Sequence, residues 1–341
     1  MDQPVTEASL LTVRDLDVRF DTPAGPLHAV RGVSFHLGRG ETLGIVGESG
    51  SGKSVTALAV LGLIPRPPGT VSGGGIFFGG DDLITLPPEQ LRKIRGNQIA
   101  MIFQEPMTCL NPVFTIGFQI AEAVKLHRRM RQREASRYAV EMLAKVGIPL
   151  PARRIKEYPH QLSGGTRQRV MIAMALACNP QVLLADEPTT ALDVTIQAQI
   201  IDLMLALQQE YGTAIVLISH DMGLVAETCG RVAVMYAGRI VEESAVERVF
   251  ANPMHPYTVG LLNSIARLRT TRAEPKKKKL PAIAGMVPNP IDLPPGCAFQ
   301  PRCPQALAVC SIKEPPAQQT APGHSVRCWL YDPPGETATA R

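Results

Sequence analysis

One eight-residue stretch, Gly47-Glu48-Ser49-Gly50-Ser51-Gly52-Lys53-Ser54, constrains this chain more than any other. It follows the apolar run "TLGIV" and precedes "SVTALAVLGL", which has helical texture. The pattern G-x-x-x-x-G-K-S in a strand–loop–helix setting predicts a phosphate cradle. Glycines at 47, 50 and 52 let backbone N–H groups approach phosphate oxygens, and the start of the following helix adds partial positive charge. Lys53 is then expected to reach the β/γ-phosphates of a nucleotide, and the Ser54 hydroxyl to ligate Mg²⁺, with Glu48, Ser49 and Ser51 completing the loop. A Gly/Ser-rich turn with a chance lysine is the plain alternative, and the flanking strand and helix weigh against it.

The rest of the chain supports an α/β fold. "LTVRDLDVRF" alternates, with Leu16, Val18 and Phe20 on one face, and "GVSFHL" repeats this with Val33, Phe35 and Leu37, as half-buried strands do. "TLGIVG", "IAMIF", "VLLAD" and "AIVLIS" are continuous apolar runs of strand length, suited to a parallel sheet covered on both faces. Residues from about 105 to 181 show no further strand. "FQIAEAVKL" and "ASRYAVEMLAKVG" have helical spacing there, the second stopped by Gly147 and Pro149, so this interval is expected to be a helical insert. From about 266 the chain turns to Pro, Lys and Cys, and "RTTRAEPKKKKLP" is expected to be a linker. The predicted boundaries are 1–265 for a nucleotide-binding domain and 266–341 for a small extension.

"VLLADEP" adds the carboxylates that a phosphate loop lacks. Four apolar strand residues deliver Asp186 to the sheet edge, where it can hold the Mg²⁺ shell. Glu187 follows and can act as general base toward an attacking water. "LSGGTRQR" (162–169) has the form of a second anion-binding helix start: Ser163, Gly164 and Gly165 precede the helical "QRVMIAMALAC".

With these segments in this order, the chain resembles the nucleotide-binding subunit of an ATP-binding-cassette (ABC) transporter. The resemblance implies a P-loop cassette with an antiparallel β subdomain, a helical insert and ATPase activity. It implies that Ser163, Gly164 and Gly165 bind the γ-phosphate of ATP held by a partner subunit. Gln104 in "IAMIFQ" matches the glutamine that meets Mg²⁺ or the attacking water, and Asp193 in "TTALD" matches the interface aspartate. His220 in "VLISHD" matches the switch histidine that contacts the γ-phosphate. Phe20 stands where the family has an adenine-stacking aromatic, although its alternation equally suits a core strand. Two departures are Thr166, where the family usually has Gln, and Val55, where many members carry a second hydroxyl.

"IFQEPMTCLNP", "PHQLSGGTRQRVMIAMALA" and "ADEPTTALDVTIQAQI" narrow the resemblance to ATP-binding subunits of bacterial dipeptide and oligopeptide importers, as do "HPYT" and the tail "PPGCAFQPRCPQA". That group implies a second, non-identical ATP-binding subunit, two transmembrane permease subunits, an extracytoplasmic substrate-binding protein, and a place on the cytoplasmic face of the inner membrane. Nickel, glutathione and D-amino-acid dipeptide uptake use the same kind of subunit. A DNA-repair or chromosome-structuring ABC ATPase would need long coiled-coil arms, and the interval between 47–54 and 162–169 has only short helices; a translation-factor ATPase would normally carry two cassettes, and one is present. A net charge of +5 is too small and dispersed to argue for nucleic acid, and the basic run Lys276–Lys279 is expected to be solvated surface.

Four of the seven cysteines, Cys297, Cys303, Cys310 and Cys328, crowd into the last 45 residues with C-x5-C-x6-C-x17-C spacing. In a reducing compartment such a cluster reads as metal ligation before disulfides. The resemblance implies a 4Fe–4S cluster; Zn²⁺ and unligated thiols are the alternatives, with His324 as a lesser candidate ligand, expected to be exposed.

Overall fold

The computed structural model describes residues 9–105, 109–190, 192–270 and 283–331. They form two compact units that interleave along the chain. One draws on residues 9–12, 36–42 and 77–218, the other on 13–35, 43–76 and 219–331.

The first unit is built on three parallel strands in the order Ile99–Ile102, Val182–Asp186 and Ala214–Ser219. Ile99 stands opposite Val182 and Ile102 opposite Ala185, while Asp186 stands opposite Ile218. All of these strand residues are buried, as uninterrupted apolar runs require when both faces are covered. The helical insert has the expected character: helices Ile116–Arg128, Gln132–Lys145 and Gly164–Leu176 pack on one another, and the last lies on the strand Ile99–Ile102. Gly147, at φ +72°, lies two residues past the end of Gln132–Lys145, where the sequence predicts a stop.

In the second unit, Thr42–Val46 runs parallel to Arg231–Tyr236, which pairs antiparallel with Arg239–Ala245. The C-terminal segment then adds its own hairpin to this sheet. His324–Val326 pairs with Arg239–Ala245, placing Val326 opposite Glu242, and Gln318–Ala321 pairs with His324–Val326. The strands Ser9–Thr22 and Gly25–Gly38 are neighbours in a second sheet, and Asp17–Phe20 pair antiparallel with Gly69–Ser72. Leu16 and Val18 are fully buried on the predicted face.

The segment after residue 266 shows little periodicity in sequence, yet the helix Pro256–Thr270 runs into it and a hairpin forms over 318–326. Most of the expected linker, with Lys276–Lys279, lies outside the described residues. Among the described residues no helix is long and apolar enough to cross a membrane.

Candidate functional site

In the second unit the loop 47–54 joins the strand Thr42–Val46 to the helix Lys53–Val60. Its tightness depends on two glycines. A Cβ at Gly47 would lie 2.1 Å from the Met235 carbonyl oxygen. One at Gly52, whose φ is +101°, would lie 2.4 Å from that of Ala29. Neither position accepts a side chain. Lys53 is buried, and its Nζ donates to the carbonyl oxygens of Gly47 (2.9 Å) and Glu48 (3.0 Å), so the cation is folded back over the loop. Ser54, the second residue of the helix, is half-buried, while Ser49 and Gly50 are exposed and Ser51 is buried. This arrangement suits an anion presented from solvent to a run of N–H groups.

Phe20 is half-buried, unlike Leu16 and Val18, and its ring edge lies by Gly69. His220 is exposed, in the turn between the strand Ala214–Ser219 and the helix Met222–Thr228. The Asp221 N–H donates to Ser219 Oγ (2.9 Å), and the Asp221 side chain caps the helix by accepting from the N–H of Gly223 (2.7 Å).

In the first unit the strand Val182–Asp186 carries buried Asp186 at its end, and Glu187 follows at φ +45°. A non-glycine residue in the left-handed region is uncommon, and such conformations gather at functional sites. The Glu187 N–H donates to the Ile218 carbonyl (3.0 Å). Its Oε2 accepts from Gln104 Nε2 (3.1 Å) and from Thr190 Oγ1 (2.8 Å). Two residues 83 apart in sequence, named separately as base and glutamine, are thus in direct contact. Thr190 was not foreseen; it sits in "TTALD", where sequence alone singled out Asp193.

Ser163 caps the helix Gly164–Leu176, accepting from the Thr166 N–H, and its hydroxyl bonds to Thr166 Oγ1 at 2.9 Å. Thr166, the departure from the usual Gln, therefore engages the signature serine. Ser163 and Gly164 are exposed. A Cβ at Gly165 would lie 2.9 Å from Ile196 Cγ2, so this glycine lets the helix start lie close against Val194–Tyr211, which Asp193 caps by accepting from the Ile196 N–H (2.9 Å).

In the C-terminal segment, Cys297, Cys303, Cys310 and Cys328 line one small, mostly apolar cavity with Phe299 and Trp329. Burial raises the thiol pKa of Cys297 and Cys328 to about 11 and pushes that of Cys303 up. These thiols are protonated near neutrality. Among the described residues, however, no group of three or more His, Cys, Asp or Glu side chains forms an arrangement able to hold a metal ion. The side chains as they stand therefore give no support to an iron–sulfur or zinc site. His324 needs correction as a ligand candidate: it is 2% exposed, and its Nε2 is bonded to buried Glu242 (2.9 Å). Glu242 also accepts from the N–H groups of Met254 (2.9 Å) and His255 (2.8 Å).

Two further residues were missed. The Tyr257 hydroxyl accepts from the Glu48 N–H (2.8 Å), and Arg302 forms an ion pair with the Glu48 carboxylate (2.7 Å). "HPYT" and "PRCP" are legible as motifs, but nothing in their spacing points to the phosphate loop.

The ABC transporter family matches residues 30–190, and the oligopeptide/dipeptide transporter C-terminal region matches 241–310. A probable peptide ABC transporter ATP-binding protein of Sinorhizobium fredii is 53% identical over 320 residues, 94% of each chain. An oligopeptide transport ATP-binding protein of Bacillus subtilis is 50% identical, covering 96% of this chain and 98% of its own. A dipeptide transport ATP-binding protein of the same organism is 49% identical, covering 96% and 97%. A solved ATP-binding cassette, dimeric in a post-hydrolysis state with ADP and Pi, is 28% identical with a TM-score of 0.63 over 69% of this chain and 98% of its own.

Proposed function

Because the chain belongs to the ABC transporter family, we propose that it is the ATP-hydrolysing subunit of a bacterial dipeptide or oligopeptide importer. In this reading it sits on the cytoplasmic face of the inner membrane, pairs with a second ATP-binding subunit, and drives two permeases supplied by an extracytoplasmic binding protein. Relatives at 49–53% identity over nearly the whole chain, and the match to the peptide-transporter C-terminal region, support the substrate class. The dimeric solved cassettes support pairing, as does the exposure of Ser163, Gly164 and Asp193.

The observation that carries the chemistry is the Glu187 carboxylate, oriented by Gln104 and Thr190 beyond buried Asp186. In the proposed mechanism the loop 47–54 binds the phosphates of ATP, with Phe20 against the adenine and Ser163–Gly165 of the partner closing over the γ-phosphate. Lys53 and His220 stabilise charge on the transferring phosphoryl group, and Glu187 takes a proton from the attacking water. Mg²⁺, for which Ser54, Asp186 and Gln104 offer oxygen donors, would neutralise phosphate charge. Closure and reopening of the dimer would then switch the permeases.

The proposed cassette spans 1–265 and the extension 266–341. A 4Fe–4S cluster on Cys297, Cys303, Cys310 and Cys328 is proposed from ligand number and type alone; the four thiols share one apolar cavity but would have to rearrange to hold a metal, and anaerobic purification with iron and sulfide analysis tests it. For the ATPase, Glu187→Gln should keep MgATP binding while turnover falls on the order of 10²–10⁴-fold. Unimpaired turnover in that variant would remove Glu187 from the role of base.

A further inference from the structure

The second residue of the phosphate loop is gripped from the C-terminal segment. Glu48 Oε2 accepts from Arg302 Nη1 (2.7 Å) and Oε1 from Nη2 (3.0 Å), a two-pronged pair matching the planar fork of guanidinium to carboxylate. The Arg302 side chain is 4% exposed. Its other donors are also engaged: Nε gives to the Ala284 carbonyl (3.0 Å), Nη1 to the Tyr236 hydroxyl (3.3 Å) and Nη2 to the Ile283 carbonyl (3.4 Å). The guanidinium also lies over the rings of Tyr236 and Phe299. Those two rings and that of Tyr257 contact one another, while the Tyr257 hydroxyl takes the Glu48 N–H.

Such a cage fixes the cation in one place. An arginine serving only to dock the tail would need no loop carboxylate as its partner. Glu48, conversely, puts a negative charge into a loop whose task is to bind phosphate, where an uncancelled carboxylate would oppose the ligand. We propose that Arg302 is a positioning residue of the nucleotide site: it cancels the Glu48 charge and holds that side of the loop. The segment Cys297–Cys303 thereby belongs to the ATP-binding apparatus. This rests on the reading of 47–54 as the phosphate cradle.

The test compares the full chain with Arg302→Ala, Arg302→Lys, Glu48→Gln and the double variant Glu48→Gln/Arg302→Ala, by MgATP titration and steady-state ATPase. Arg302→Ala is expected to raise Kd and KM roughly tenfold while kcat at saturation stays within about twofold, since a buried partner removed leaves a carboxylate uncompensated. Arg302→Lys should recover only part of this, because a lysine lacks the fork. The double variant has no charge left to cancel and should return to within about threefold of wild type. An unchanged KM in Arg302→Ala, or a double variant as weak as Arg302→Ala, overturns the proposal. If Arg302→Ala fails to fold, a double variant as weak as a Lys53→Ala control, or wild-type affinity in Arg302→Lys, has the same force. Lys53→Ala also separates the two readings: undiminished MgATP binding there would refute the cradle itself.

Discussion

Thr190→Val tests how the catalytic carboxylate is held. The substitution keeps the side chain's outline and removes one donor, the hydroxyl that gives to Glu187 Oε2 at 2.8 Å. That same oxygen keeps its bond from Gln104 Nε2 at 3.1 Å. A hydrogen bond to a charged acceptor contributes about 1.5–3 kcal/mol. Glu187 is only half-buried, so water replaces part of the lost bond and the low end applies. About 1.5 kcal/mol in orienting the base corresponds to roughly a tenfold loss of kcat. The phosphate cradle lies elsewhere in the sequence and is untouched, so KM for ATP should stay within about twofold, the pattern of an interaction realised in the transition state. Phosphate release at saturating MgATP measures the first quantity and an ATP titration the second. A wild-type kcat would mean that Thr190 does not orient the base, and a rise in KM alone would place its effect on binding.

Gly52→Ala should abolish stabilisation by nucleotide in a thermal-shift assay and itself cost about 2–4 kcal/mol, from an L-residue forced to positive φ and overlap with the Ala29 carbonyl. Glu242→Ala leaves the N–H groups of Met254 and His255 and the ring of His324 without their shared acceptor; chemical denaturation should show a loss of about 3–5 kcal/mol. Burial lowers the His255 pKa from 6.5 to about 3. The unfolded chain therefore takes up a proton below pH 6.5 that the folded chain refuses until about 3, and stability should fall as pH drops through that window. His255→Gln keeps an acceptor for the Tyr257 N–H and should flatten that part of the wild-type melting-temperature profile.

The parts of the fold that were legible in sequence are those governed by local periodicity. Continuous apolar runs became buried parallel strands, and helical spacing broken at Gly147 became a helix with its stop, because burial on both faces and backbone freedom leave direct traces in composition. The candidate site was legible where the chemistry is carried by one short stretch, as in 47–54, or where a polar residue ends an apolar strand, as at Asp186. What stayed hidden is made by long-range contact. Nothing in sequence sets Arg302 apart until Glu48, 254 residues away, is found against it. Tyr257 carries no sequence signal toward the loop either; it is buried, and its hydroxyl meets the phosphate loop. His324 beside Cys328 suggests a ligand, but the register of the C-terminal hairpin turns it to Glu242, which lies opposite Val326 on the neighbouring strand.

The same hairpin explains how an extension poor in apolar residues can act on the loop. Trp329 and Phe299 are its large buried side chains, and Phe299 contacts Tyr236 at the end of the strand that pairs with Thr42–Val46. From that strand pair the chain passes straight into Gly47. A displacement of residues 297–303 is therefore felt at Glu48 by two routes: through the Arg302 ion pair, and through the aromatic contacts of Phe299 with Tyr236 and Tyr257. Only the first route carries charge. The double variant Glu48→Gln/Arg302→Ala removes it and leaves the rings in place, so the effect it restores measures the electrostatic share of the coupling, and whatever deficit remains belongs to packing.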